Sequence, residues 1–205
     1  MKFILVAEGH TEEQLPAFIK RWLDPRLTRR VGIQLVRLPG WGAVESSISD
    51  RTRAYLEGPL GNEIIAVVGL LDLYGPDFYP DQAGTVQERY DWAVRYIEAR
   101  VNHPKFRMFF AVHEIEAWIL SQPEIFPRPV AERVPDRPPE TINFDEPPSK
   151  LLNRLYHASH GKGYVKPADG RRLFAKLDPS IAASKCPHLD AMLQELLSMA
   201  KAAGL

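Results

Sequence analysis

Lys2-Phe3-Ile4-Leu5-Val6-Ala7-Glu8-Gly9-His10-Thr11-Glu12-Glu13 opens the chain, and its reading decides the fold. Phe3 to Ala7 is a short uncharged apolar run, the pattern of a strand buried on both faces. It stops at Glu8-Gly9. Thr11, with Gln14 three residues on, forms a capping box and predicts a helix start. Leu15, Phe18, Ile19, Trp22 and Leu23 continue as an apolar stripe of helical period, closed by Asp24-Pro25. Glu8 therefore stands at the carboxyl end of a buried strand, beside a glycine that permits close approach to the backbone. In open α/β sheets, ligands bind outside these carboxyl ends.

The same arrangement recurs downstream. Gly32 to Pro39 reads as a second strand, Gly40-Trp41-Gly42 as a loop, and Ala43 to Glu57 as a helix with Val44, Ile48 and Tyr55 inward. Ile64 to Leu71 is another continuous apolar run, ending at Asp72. After a loop broken by glycine and proline, Thr85 and Glu88 form a second capping box. The helix they open presents Val86, Tyr90, Ala93, Val94, Ile97 and Val101 on one face. Phe106 to Val112 is a further buried strand and ends in His113-Glu114-Ile115-Glu116. Alternating strands and helices predict an α/β fold with a largely parallel sheet flanked by helices.

The character changes at Pro123. Eight prolines fall between Pro123 and Pro148, which predicts an irregular connection. Beyond it, Lys150 to Ala158, Pro167 to Lys176 and Pro187 to Ala203 read as helices. The expected organisation is a core over residues 1–122, a proline-rich connection over 123–148, and a basic helical C-terminal region over 149–205 packed on the core. From Ser149 to Cys186 there are eight lysines and arginines against two acids. Such a run is either a solvated helical face or a phosphate-contacting lobe.

Composition limits the function classes. The chain has 205 residues, 45% hydrophobic and 25% charged, with formal net charge zero. Zero net charge argues against tight, unaided, nonspecific nucleic-acid binding. One cysteine, Cys186, excludes an internal disulfide and fits a reducing compartment. No stretch reaches the length of a membrane span or of a secretory signal, so a cytoplasmic location is expected. Cys186-Pro187-His188 lacks the second half of a zinc signature. Gly161-Lys162-Gly163 lacks the earlier glycine and following hydroxyl of a phosphate loop and reads as a turn.

The acids carry the chemistry. Glu8, Asp72, and the pair Glu114 and Glu116 end three buried strands. If those strands are neighbours, the carboxylates converge on one crevice, and close like charges need a cation to stay ionised. Oxygen ligands of this kind suit Mg2+ or Mn2+, which can orient water against a phosphodiester. Each acid alone has a structural explanation: Glu8 at the positive end of a helix, Asp72 in a turn before Gly75, Glu114 as a helix cap. Glu114 and Glu116 share a face on a strand but diverge on a helix. Glu114 is the expected ligand if only one faces the site.

Ala7-Glu8-Gly9-x-Thr11-Glu12-Glu13, Asp72-Leu73-Tyr74-Gly75, His113-Glu114-Ile115-Glu116-Ala117, Pro148-Ser149-Lys150 and Cys186-Pro187-His188-Leu189 resemble, in that order, the motifs of the bacterial domain of unknown function family 4276. The resemblance spans Phe3 to about Leu197. It implies a Toprim-like (Rossmann-like) sheet with a helical C-terminal elaboration, Mg2+ (or Mn2+), and a phosphodiester substrate. It also implies an AAA-type ATPase partner, since such proteins are often encoded beside one, and a role in anti-phage defence. On this reading Glu8, Asp72 and Glu114 are catalytic, Glu116 is a further metal ligand, and Lys150, Lys162, Arg171 and Lys185 contact substrate. A Toprim site has an acid followed by an Asp-x-Asp pair, whereas Tyr74 stands at the second aspartate here. Either Asp77, Glu114 or Glu116 replaces that ligand, or the site is degenerate and the protein is a non-catalytic binding or regulatory subunit.

Overall fold

The computed structural model describes residues 1–8, 11–141 and 146–205. Its strands are β1 (Lys2–Glu8), β2 (Gly32–Leu38), β3 (Ile64–Asp72) and β4 (Phe106–Ala111). They form one sheet in the order β2-β1-β3-β4, with each neighbouring pair parallel. The α-helices are α1 (Leu15–Leu23), α2 (Trp41–Leu56), α3 (Val86–Val101), α4 (Glu116–Leu120), α5 (Arg128–Ala131), α6 (Pro148–His160), α7 (Arg171–Lys176), α8 (Pro179–Lys185) and α9 (Pro187–Ala202). This α/β architecture, with helices on both faces of an open parallel sheet, is consistent with a Rossmann-like or Toprim-like fold.

Period-two alternation along the strands divides the core in two. Phe3, Leu5 and Ala7 of β1, with Val68 and Leu70 of β3, pack against α1 and the C-terminal helices. Ile4 and Val6, with Val67 and Leu71, face α2 and α3. Both faces of the central strands β1 and β3 are covered, which is why these two are continuous apolar runs, while the edge strand β2 keeps Gln34 and Arg37. The two-residue register of the sheet also fixes which way each strand-end acid leaves it.

The stripe Leu15, Phe18, Ile19, Trp22 and Leu23 is buried. The helix itself starts later than the capping-box reading: a 3-10 turn covers Thr11–Gln14, and Gln14 is an N-cap with no side-chain cap bond. Gly9 and the side chain of Thr11 lie outside the described residues. At α3 the expected box is present, with Thr85 and Glu88 bonded reciprocally. The predicted loop at Gly40-Trp41-Gly42 shrinks to Gly40, whose φ of +98° turns the chain so that α2 begins at Trp41. Residues 142–145 of the proline-rich connection lie outside the described part, and α8, between two predicted helices, was not expected.

The C-terminal helices share the core of the sheet. Phe18 of α1 stacks with Trp118 of α4 at 6.1 Å between ring centroids and meets Phe174 of α7 at 5.0 Å. All three are buried to within 1%. Phe174→Ala is expected to cost about 3–5 kcal/mol, the usual loss for a buried phenylalanine. Urea unfolding followed by near- and far-ultraviolet circular dichroism should give one shifted, coincident transition. Separate transitions would show that the C-terminal helices fold apart from the sheet.

Candidate functional site

At the carboxyl edge, β3 and β4 stay joined beyond the sheet. Leu73 N donates to Ala111 O at 2.9 Å and Tyr74 N to His113 O at 2.7 Å. This holds Asp72 opposite Ala111 and brings the segment after β4 across the end of β3. Ile115 N then donates to Asp72 Oδ1 at 2.9 Å. Glu114 lies in the irregular segment after β4 and Glu116 opens α4, so the chain bends between them and their carboxylates come together. The choice between Glu114 and Glu116 therefore does not arise.

Asp72, Glu114 and Glu116 each offer a carboxylate oxygen, and these atoms lie within 4.8 Å of one another. Their exposures are 8%, 8% and 0%. Such a set of buried oxygen donors can hold a metal ion. Glu8 is outside this group. By strand alternation it shares the parity of Ile4 and Val6 and leaves the sheet on the α2–α3 face, whereas Asp72 shares that of Leu70 on the other face. Its carboxylate lies near Gly40, where an added β-carbon would sit 3.8 Å from Glu8 Oε2. The crevice expected from Glu8, Asp72 and Glu114 is thus formed by Asp72, Glu114 and Glu116. Asp77 is exposed and not among them.

Three C-terminal residues converge on the carboxylates. Ser149 donates from its backbone N to Glu114 Oε2 at 2.7 Å and from its hydroxyl to Glu114 Oε1 at 3.0 Å. Ser149 is in the first turn of α6, so the positive end of that helix faces Glu114. Tyr164 donates its hydroxyl to Glu116 Oε1 at 3.4 Å. Lys166 Nζ stands 3.2 Å from Glu116 Oε2 and 3.8 Å from Asp72 Oδ2. Lys166 begins a π-helical turn, Lys166–Gly170, that leads into α7.

Burial pushes the Glu116 carboxyl above its ordinary range; Lys166 opposes this and Glu114 adds to it. Burial alone would lower Lys166, but Asp72, Glu116 and Glu114 together raise it, so the ammonium stays charged. Burial also raises Glu8, against the pull of the same Lys166. A lysine therefore supplies positive charge that the sequence reading assigned to a metal alone.

The remaining expected residues are spread around this centre. Lys150 and Lys162 are exposed. Arg171 pairs with Glu13 at 2.6 Å, and Lys185 donates to Ser121 O at 2.7 Å. Gly161 caps α6 with φ +67°, and a β-carbon on Gly163 would meet Asn153 Oδ1, so Gly161-Lys162-Gly163 is a helix-ending turn. Cys186-Pro187-His188 starts α9, where Glu140 accepts from His188 N at 3.1 Å and approaches His188 Nδ1 at 2.8 Å. Lys166, Ser149 and Tyr164 were missed as site residues. The only sequence signal was the Pro148-Ser149-Lys150 motif and the position of Lys166 in the basic segment.

Fold and site define an α/β protein with an open parallel sheet and a buried acidic cluster at its carboxyl edge, able to hold a cation. The model of the family "Domain of unknown function (DUF4276)" matches residues 7–197. The chain belongs to that family. Comparison with curated proteins and with solved structures gave no match. Among the described residues, no helix is long and apolar enough to cross a membrane.

Lys166→Met is expected to destabilise the protein at neutral pH by about 2 kcal/mol. That is less than the about 3–5 of a fully buried pair, because the lysine side chain is 37% exposed. The raised Glu116 pKa fixes the sign: stability from its neutral form is present at low pH and lost as pH rises through the folded value. The deficit should therefore shrink on acidification from pH 7 towards pH 4.5, as melting curves would record. An equal deficit at both ends would mean that Lys166 acts by packing alone.

Proposed function

We propose that this chain is a divalent-cation-dependent phosphodiester hydrolase, a Toprim-like nuclease that uses Mg2+ or Mn2+. The convergence of three buried carboxylates at the ends of adjacent parallel strands carries this reading. The donor set fits the ion. Carboxylate oxygens are the ligands hard cations prefer, and oxygens sharing one Mg2+ at about 2.1 Å lie up to about 4.2 Å apart. The observed bound of 4.8 Å needs only a small closure.

When bound, the cation supplies a Lewis acid and a more acidic water. The chain does the rest. Ser149 fixes the orientation of Glu114, and Ile115 N fixes that of Asp72. Lys166 sits at the rim, where its ammonium neutralises charge on a phosphoryl group. Glu8, on the other face of the sheet, is not in the cluster and adds negative charge to this edge, where it feels Lys166. Lys150 and Lys162 extend positive charge outward. On the family resemblance, a separate AAA-type ATPase would supply the energy-dependent step in anti-phage defence; Gly161-Lys162-Gly163, a helix-ending turn, offers no phosphate loop for it.

The Lys166 ion pairs favour a second reading. They compensate the acids without a metal, as in a non-catalytic binding or regulatory subunit with a degenerate site. Asp72→Asn separates the two, because the amide oxygen can still accept from Ile115 N and the fold is retained. The expected result is Mn2+ uptake by the parent protein, measured calorimetrically, with plasmid cleavage falling more than about a hundredfold in the variant. No Mn2+ uptake, with the acids held by Lys166 alone, would favour the second reading, and uptake without cleavage would remove the hydrolase while leaving a cation-binding subunit. Absence of Mn2+ uptake would sink the metal centre.

A further inference from the structure

Away from the acids, α8 floors a trench made of three cavities that share walls. The largest, about 1060 Å³, lies between α1 and the α7–α8 junction. It shares Arg26 and Ser180 with a second of about 460 Å³. That one shares Ser184 and Pro187 with a third of about 590 Å³, under the proline-rich connection. The first cavity is lined by Lys20, Arg21, Arg26, Arg30 and Lys176 against only Asp24 and Asp178. Asp24 accepts from Val31 N and pairs with Lys20, and Asp178 caps α8 through Ser180 N and Ile181 N; Arg21 donates to Leu177 O and Arg26 to Trp22 O, which leaves their charge facing the groove. In a chain of zero net charge this is a concentrated positive groove. Its floor holds apolar groups, including Ala17, Ala175 and Pro179.

We propose that this trench binds a single strand of nucleic acid. Three cavities joined in series by shared walls suit an extended polymer. The cations match a phosphate backbone, and the apolar floor accepts unstacked sugar and base faces, which a duplex keeps inside. Lys176, on the wall of the first cavity, and Lys166, at the acidic cluster, are the two ends of one helical segment made of a π-helical turn and α7. A strand held in the trench is thereby fed towards Asp72, Glu114 and Glu116. The inference rests on the phosphodiester reading of that cluster, but its test does not, because binding is measured without metal.

The probe is labelled oligothymidylate, titrated with the full chain in EDTA at several salt concentrations and read by fluorescence anisotropy. Binding should weaken with salt. Arg30→Glu with Lys176→Glu should lower affinity at least about tenfold and reduce the log–log salt slope by about 0.7 per cation removed. Both residues are exposed, so the fold should persist, and a melting curve confirms it. Arg53→Glu, exposed on α2, should leave binding unchanged. The trench is overturned if the parent does not bind the oligonucleotide, if it binds polyglutamate in preference, or if Lys150→Glu with Lys162→Glu abolishes binding while the Arg30 and Lys176 pair does not. Binding by the trench without any metal-dependent cleavage would instead leave the inference standing and remove the nuclease reading.

Discussion

Three carboxylates buried within a few ångströms of one another are the constraint around which the rest of the structure is arranged. Burying one ionised carboxylate is costly, and burying three together adds mutual repulsion. The parallel sheet creates this difficulty, because strands covered on both faces leave their ends as the place where polar groups can gather. The C-terminal half then supplies the compensation. Ser149 brings a helix start to Glu114, Tyr164 brings a hydroxyl to Glu116, and Lys166 brings an ammonium to Glu116 and Asp72.

That division of labour explains the shape of the C-terminal region. α6 must begin at Pro148 so that Ser149 N faces Glu114, and Pro148, which has no N–H, leaves no orphan donor at the first helical position. The turn after α6 brings the chain back: Gly161 reverses it in the left-handed region and Gly163 lets it pass close to Asn153 and His157. Tyr164 and Lys166 follow within a few residues. Glu140 repeats the device at α9, accepting from His188 N and sitting against its ring. In both cases a buried acid on one segment receives the start of a helix from another, and this ties the connection and the last helices to the sheet.

Local patterns made the sheet legible in advance. Phe3 to Ala7, Ile64 to Leu71 and Phe106 to Val112 are strands because continuous apolar runs are what two-sided burial demands. Asp72, Glu114 and Glu116 were visible as acids at strand ends. What one-dimensional reading did not supply was direction. Glu8 and Asp72 end neighbouring strands, yet their parities against Val6 and Leu70 send them to opposite faces. That comparison needs the register between β1 and β3, which contains a shift between Lys2 and Phe3. Lys166 was counted among basic residues but not placed, because its contacts with Asp72 and Glu116 join residues nearly half and about a quarter of the chain apart. The helix start expected at Thr11 comes four residues later, because a 3-10 turn over Thr11–Gln14 precedes Leu15.

The charge balance at the centre shows what Lys166 can and cannot do. Three ionised carboxylates carry three negative charges, and the lysine offsets one. The start of α6 contributes roughly half an elementary charge more. About one and a half negative charges remain, and Glu8 adds to the field that Lys166 already serves. A buried site has two ways to remove that excess. One is to take up a proton, and Glu116, fully buried and raised in pKa, is the group best placed to accept it. The other is to admit a divalent cation, whose two charges cover the deficit, where a second lysine would leave about half a charge uncompensated. The two responses compete for the same oxygens, so proton uptake by Glu116 and cation binding at Asp72 and Glu114 oppose each other. Metal affinity at this cluster should therefore rise with pH through the titration of Glu116, a dependence that a site compensated by Lys166 alone would not show.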